Sequence, residues 1–304
     1  MWRRRSLVLD WQFTALLLSN GVLIGLMYSL IALGFVLVYK ATDAVNFAQG
    51  EFVMIAGFVA VGALTVLGIP LWLSILISLV GMIVFGFALE RVMLRKLIGR
   101  PVIAIVMATI GLAAILRGIG PFGIFQGTRP LPLPLPDEPI VVGPLFIPPI
   151  QLVGGIVSLL FLAGFGYFFL KSRKGIAMRA VADNQQVALA MGINVERYFG
   201  VAWAMTGVVS ALGGVLWGNM LGVDTNLALV GFKVFPVVIL GGLDSIPGAI
   251  IGGLIVGIVE NVAAGYVDPF VGGGTKDFAP YVLMILALMI RPYGMFGKRI
   301  IERI

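Results

Sequence analysis

"NGVLIGLMYSLIALGFVLVYKATDAVNFAQGE", residues 20–51, decides the fold class. From Gly21 to Tyr39 it carries no charge. That is close to the roughly 20 apolar residues a helix needs to cross a hydrocarbon core about 30 Å thick. A polar knot follows, with Asp43, Asn46, Gln49 and Glu51, and the apolar character then resumes. Working outward, apolar runs lie at 12–39, 52–68, 71–92, 101–120, 150–170, 200–221, 226–242, 247–267 and 279–290. The runs at 52–68 and 279–290 are short enough to be partial or re-entrant passes. The first run reads as a span and not a cleaved leader, because it exceeds the length of a leader's apolar region and no small-x-small site closes it. The reading is an all-α polytopic membrane protein, one transmembrane domain over 1–304, with about eight or nine transmembrane or re-entrant helices.

Composition agrees. The 304 residues are 60% hydrophobic and 12% charged, against roughly 45–50% and about 25% in a soluble domain, which excludes a water-soluble monomer. The net charge of +7 is a topology signal before it is a sign of nucleic acid, and no nucleic-acid partner is expected. With no Cys and no His, disulfides, thiol chemistry, Cys/His metal sites and imidazole catalysis are excluded, so no catalytic or metal-ligating residue is assigned.

Basic residues cluster at Arg91, Arg95, Lys96 and Arg100, at Lys171, Arg173, Lys174, Arg179 and Arg197, and at Arg291, Lys298, Arg299 and Arg303. These belong on the cytoplasmic side. The loops at 121–149 and 268–278 carry one positive charge each, Arg129 and Lys276, and read as external. Arg3, Arg4 and Arg5 conflict: three spans before Arg91 would place them outside. Either the N-terminus is external against the charge rule, or one early span is re-entrant. The external loop 121–149 contains "RPLPLPLPDEPIVVGPLFIPP", whose alternating prolines enforce extended backbone. It is a lid or docking surface, or a stiff connector.

Three segments break the apolar pattern. The cytoplasmic loop 171–198 holds a short amphipathic stretch from Asp183 to Met191: Asp183 and Asn184 are candidate N-caps, Val187, Ala188 and Met191 share a helical face, and Gly192 suits a position just past the helix. It docks another protein or merely joins two spans. In the second segment, Asn46, Gln49 and Glu51 line a transport path or form a polar turn. In the third, Glu260 and Asn261 sit inside 247–267, where a carboxylate costs about 2.5–3.5 kcal/mol on the insertion scale unless it faces protein or water. They belong to a path or gate, or they bond helices together. Gly248, Gly252, Gly253 and Gly257 make two overlapping small-xxx-small pairs, Gly214, Gly218 and Gly222 a second seam, and Gly21, Gly25 and Ser29 a third, so the bundle is Gly-packed.

No G-x-x-x-x-G-K-[ST] pattern occurs, so nucleotide must be bound by another subunit if it drives transport. Missing His and scarce intramembrane acids argue against a proton-driven carrier. Taken together, residues 20–51, "GIAMRAVADNQQVALAMGI" at 175–193, "VFPVVILGGLDSIPGAIIGGLIVGIVE" at 234–260 and "RPYGMFGK" at 291–298 resemble the permease subunit of branched-chain amino acid ABC importers. The likeness is to the shorter of the two paired permease types. It implies an amino-acid importer subunit of the bacterial cytoplasmic (inner) membrane, with a homologous permease subunit, two cytoplasmic ATPases holding ATP and Mg, and an extracytoplasmic binding protein. It also implies that Asp183 to Gly192 form the coupling helix. Gln49 stands where that family often has His, and Asp244 is a second departure. Urea, a short amide or another amino acid is the alternative cargo, and an ATPase-independent carrier the alternative class.

Overall fold

The computed structural model describes residues 11–97, 100–120 and 127–297. Arg3, Arg4, Arg5, Lys298, Arg299, Arg303 and the start of the proline-rich loop, 121–126, lie outside the described residues. The elements are α1 (Trp11–Thr42), α2 (Gln49–Thr65), α3 (Leu71–Val92), α4 (Val102–Ile119), β1 (Ile140–Val142), β2 (Leu145–Ile147), α5 (Pro149–Lys171), α6 (Arg173–Asp183), α7 (Gln185–Ala190), α8 (Val195–Leu221), α9 (Leu229–Gly241), α10 (Ile246–Val271) and α11 (Thr275–Ile290). Every apolar run of the sequence is centred on a helix, although the run 52–68 outlasts α2 by three residues and the run 226–242 starts in a 3₁₀ turn. Among the described residues, six helical stretches are long and apolar enough to cross a membrane: α1, α3 with its 3₁₀ extension to Leu97, α4, α5, α8 and α10. Helix α2 and the segment Thr225–Gly241 are apolar but shorter.

Helices α1 and α8 form the buried centre, and glycine decides what packs on them. Gly21 and Gly25 lie directly on Gly257 and Gly253 of antiparallel α10, and the Ser29 hydroxyl donates across the seam to Ile250 O at 3.0 Å. The overlapping glycine pairs of α10 serve two neighbours: Gly253 and Gly257 face α1, while Gly248 and Gly252 face Gly241 and Val237 of α9. Gly214 packs on Val53 and Gly57 of α2. Gly222 does not continue that seam, because α8 ends at Leu221 and Gly222 turns the chain. A further seam, Gly207 on Met82 O and Gly86 on Trp203 O, joins α8 to α3.

The direction of α1 bears on the N-terminal conflict. Its last turn meets the basic loop, where Gln185 Nε2 donates to Ala41 O at 3.2 Å. Its first turn lies at the opposite end, with Phe13 edge-on to Tyr266 at 5.6 Å. Helix α1 therefore starts on the side remote from the basic loops. The proline-rich loop is extended, as its sequence requires, and closes in a two-stranded antiparallel hairpin, Ile140 opposite Ile147. Arg129 and Val223 pair through both backbone groups, and Asn219 Nδ2 donates to the buried Leu131 carbonyl at 2.7 Å, so the loop is stitched to the C-terminal end of α8.

Candidate functional site

The polar knot builds the centre. After α1 ends, Asp43 takes φ +54°, and the chain turns back into the bundle before α2 begins. Asn46 Oδ1 accepts from the Ala48 amide at 3.1 Å. Gln49 Nε2 donates to Ser210 Oγ, halfway along α8, at 3.1 Å, and the same amide group covers Gly34 of α1. Helix α2 thus starts at mid-depth, not at the surface. Asn46 and Gln49 are fully buried within this network. Beside them the Phe47 amide donates to Thr109 of α4, which ties the break to a fourth helix.

Glu51 lies in the first turn of α2, where the free amides of a helix start favour a carboxylate. It is buried, and Arg117 Nη2 of α4 donates to its Oε1. Sequence reading missed Arg117 because it stands near the end of a span, where a basic residue reads as an anchor. The α2 and α9 starts meet nearby: Gly50 packs on Ala228 O and Gly231, a contact that any side chain would prevent. Phe35, Phe47, Phe232 and Phe235 wall a small pocket there, with Glu51 on its rim.

Glu260 is 0% exposed and lies between Lys233 Nζ of α9 at 3.7 Å and Lys276 Nζ of α11 at 3.9 Å. Neither of its oxygens has a hydrogen-bond partner among the described residues. Lys233 also pairs with Asp277 at 2.8 Å, so the cluster ties α9, α10 and α11 together. Asn261 does not join it, since its side chain donates back along its own helix to Gly257 O at 2.8 Å.

The segment 171–198, expected on the cytoplasmic side, holds two helices where one was expected. Ser172 caps α6 by accepting from Gly175 N at 2.8 Å. Asp183 closes α6 and does not cap the next helix. Asn184 does so, extended at φ −158° and accepting from Val187 N at 2.9 Å. Only Ala188 of the expected apolar face is buried; Val187 and Met191 are 58% and 77% exposed. Six residues make too short a helix for three apolar side chains to turn inward. Gly192 ends it at φ +81°, a conformation costly for other residues. Asn184→Ala should cost about 1 kcal/mol locally. Hydrogen exchange should show it as faster exchange over 185–190 with the global melt unmoved. Between this segment and the ends of α1, α9 and α11 lies a cavity of about 450 Å³ bordered by Asp43, Asp183 and Asp244, in which burial pushes the Asp43 carboxyl up.

Comparison with known proteins places this arrangement. LivH of Escherichia coli K12, a high-affinity branched-chain amino acid transport system permease protein, is 34% identical over 94% of this chain and 96% of its own. BraD of Pseudomonas aeruginosa, a permease protein of the same description, is 31% identical over 94% and 97%. A probable LivH of Methanocaldococcus jannaschii is 30% identical over 93% and 92%. Among solved structures, PsaBC from Streptococcus pneumoniae in complex with Fab shares the fold at a TM-score of 0.51 and 13% identity, over 95% of each chain. The profile of the family described as "Branched-chain amino acid transport system / permease component" matches residues 17–290, from the second turn of α1 to the end of α11, and the chain is a multi-pass membrane protein of that family.

Proposed function

We propose that this chain is one permease subunit of an ATP-driven importer of branched-chain amino acids in the cytoplasmic (inner) membrane. The observation that carries the reading is similarity to LivH and BraD over nearly the full length of both chains. In this reading ATP and Mg are held by two cytoplasmic partner subunits, in keeping with a sequence that carries no G-x-x-x-x-G-K-[ST] pattern of its own. A homologous permease subunit completes the channel, and an extracytoplasmic binding protein delivers the amino acid to the face bearing the hairpin. On the cytoplasmic face, exposed Val187 and Met191 of α7 offer the ATPases an apolar contact, framed by the caps Asn184 and Gly192. Asp183 holds the preceding helix end, and Ala188 is the buried foot through which a push on α7 reaches the bundle. ATP closure on that contact shifts the bundle between outward and inward access.

Proteoliposomes holding the complete complex test this: ATP-dependent leucine uptake is expected, and its absence with binding protein present overturns the reading. Gly192→Arg places a long cation at a left-handed position with open space around it. The variant should still insert and assemble, yet uptake should fall about tenfold or more relative to ATP hydrolyzed. Normal coupling in this variant would remove α7 from the contact.

A further inference from the structure

The turn "GGLD", 241–244, and the segment "RPYGMFG", 291–297, meet at the end of the bundle that holds α7. The segment leaves α11, turns where the Gly294 amide donates to Arg291 O at 3.0 Å, and comes back onto α9. There the Met295 amide donates to Leu240 O at 2.8 Å and the Phe296 amide to Gly241 O at 3.1 Å. A helix end leaves its last carbonyls without partners, and chain from beyond α11 supplies two of them here. The approach is backbone on backbone. A Cβ at Gly294 would stand 2.6 Å from Ile239 O, and one at Gly242 would stand 2.6 Å from Gly297 N. Both glycines take positive φ, +73° and +102°. No rotamer change can loosen such a contact, so the end of α9 is fixed to the chain leaving α11. At the far end the same two helices are linked only side chain to side chain, Lys233 to Asp277, and that link can stretch.

Helix α9 also reaches the polar knot. Its Gly231 abuts Gly50 in the first turn of α2, about 14 Å along the helix from Leu240. Facing the fixed end, Ala182 and Asp183 at the end of α6 border the cavity of about 450 Å³, whose other walls include Asp244 and Tyr293. A close-packed interior does not yield to a push, whereas a segment beside open space can be displaced. We propose that 291–297 is a clasp that hinges α9 on α11, and that the cavity between the clasp and the end of α6 is the space through which the α6–α7 segment moves when the ATPases close. The segment then bears on the clasped end, and α9 carries the movement to the polar knot. The assignment rests on the import reading above and adds which helix carries the stroke inward.

Hydrogen exchange on the purified complex tests the clasp by itself. The Met295 and Phe296 amides should exchange as slowly as the last turn of α9. Exchange at the rate of an open loop overturns the clasp, whether or not the complex imports anything. In proteoliposomes, Gly294→Val should drive the segment off Ile239, and leucine taken up per ATP hydrolysed should fall about fivefold or more while hydrolysis persists. Phe296→Ala keeps the backbone bond and alters a half-exposed side chain, so its coupling should stay near wild type. Equal loss in both variants would place the role in the aromatic side chain and overturn the backbone clasp. The stroke is read by cross-linking, which also decides should Gly294→Val not assemble. The chain has no cysteine, so Ala182→Cys with Tyr293→Cys sets one thiol on each wall of the cavity. With thiol reagents of graded length, the shortest that bridges them should be shorter with a non-hydrolysable ATP analogue than without nucleotide, and the bridge should stop uptake. An unchanged or longer span overturns the cavity as the stroke and leaves the import reading standing. A wild-type complex that moves no branched-chain amino acid overturns the import reading and the stroke together, and the exchange result still decides the clasp.

Discussion

Gly257→Leu is expected to part α1 from α10 and to abolish the assembled protein. A Cβ at Gly257 would stand 2.4 Å from Gly21 O, 2.5 Å from Gly25 N and 2.6 Å from Gly25 Cα. All three are backbone atoms of a helix and cannot rotate aside. The helices must separate, and with them go the Gly253 contact and the Ser29 bond to Ile250. Overpacking a well-filled core costs about 1–3 kcal/mol, and more where no side chain can yield. A membrane protein has no water-driven hydrophobic term to restore the lost contact, because lipid tails are as apolar as the interface. Gly166→Leu in α5 is the control, since a Cβ there meets nothing within 4 Å among the described residues. Membrane-inserted protein level and detergent melting of the complex should collapse for the first variant and stay near wild type for the second. Equal melting of the two would show that α1 and α10 do not rely on this approach.

The same seam shows what a sequence can carry. Gly21, Gly25 and Ser29 and the glycines of α10 were legible because spacing of four puts small residues on one helix face, and spacing survives without coordinates. Which seam faces which neighbour was not legible: Gly252 and Gly253 are consecutive yet serve different helices, α9 and α1. The nine apolar runs were legible for the same local reason. The depth at which α2 begins was not, because it depends on Gln49 reaching Ser210, a residue far away in the chain. Glu51 and Glu260 stood out as acids in apolar surroundings, and the structure gives each a basic partner on another helix. Arg117 and Lys233 were not singled out, and Lys276 was read only as the positive charge of a loop, because partnership across helices leaves no periodic trace. In the segment 171–198 the caps Asn184 and Gly192 were legible as residue types. The inward face was not, since consecutive Val187 and Ala188 point about 100° apart on the helix, and which of them meets the bundle is set by how α7 docks on its neighbours.

Removing Lys233 and Lys276 together, each to methionine, is expected to destabilise the bundle more than any other change to its polar groups. Glu260 is fully buried, and without its two lysines the carboxylate would keep only the like charge of Asp277 and the Tyr28 hydroxyl of α1 nearby. Breaking a buried ion pair by deleting the base leaves an uncompensated charge and typically costs about 3–5 kcal/mol. Methionine fills the space of lysine, so the loss is electrostatic and not one of volume. The argument predicts its own rescue. Glu260→Gln in the double-lysine background removes the stranded charge, and most of the lost stability should return, because replacing all members of a buried ionic cluster is close to neutral. Glu260→Gln alone should cost less than the double lysine change, since Lys233 keeps Asp277 and the half-exposed Lys276 can reach water. Thermal melts of the purified complex for these variants form a cycle whose coupling term is read directly. A triple variant as unstable as the lysine double would show that the lysines act by packing their stems and not by neutralising Glu260. Recovery of stability without recovery of leucine uptake would instead place the cluster in the moving part of the bundle, where α9, α10 and α11 must change their spacing as access alternates.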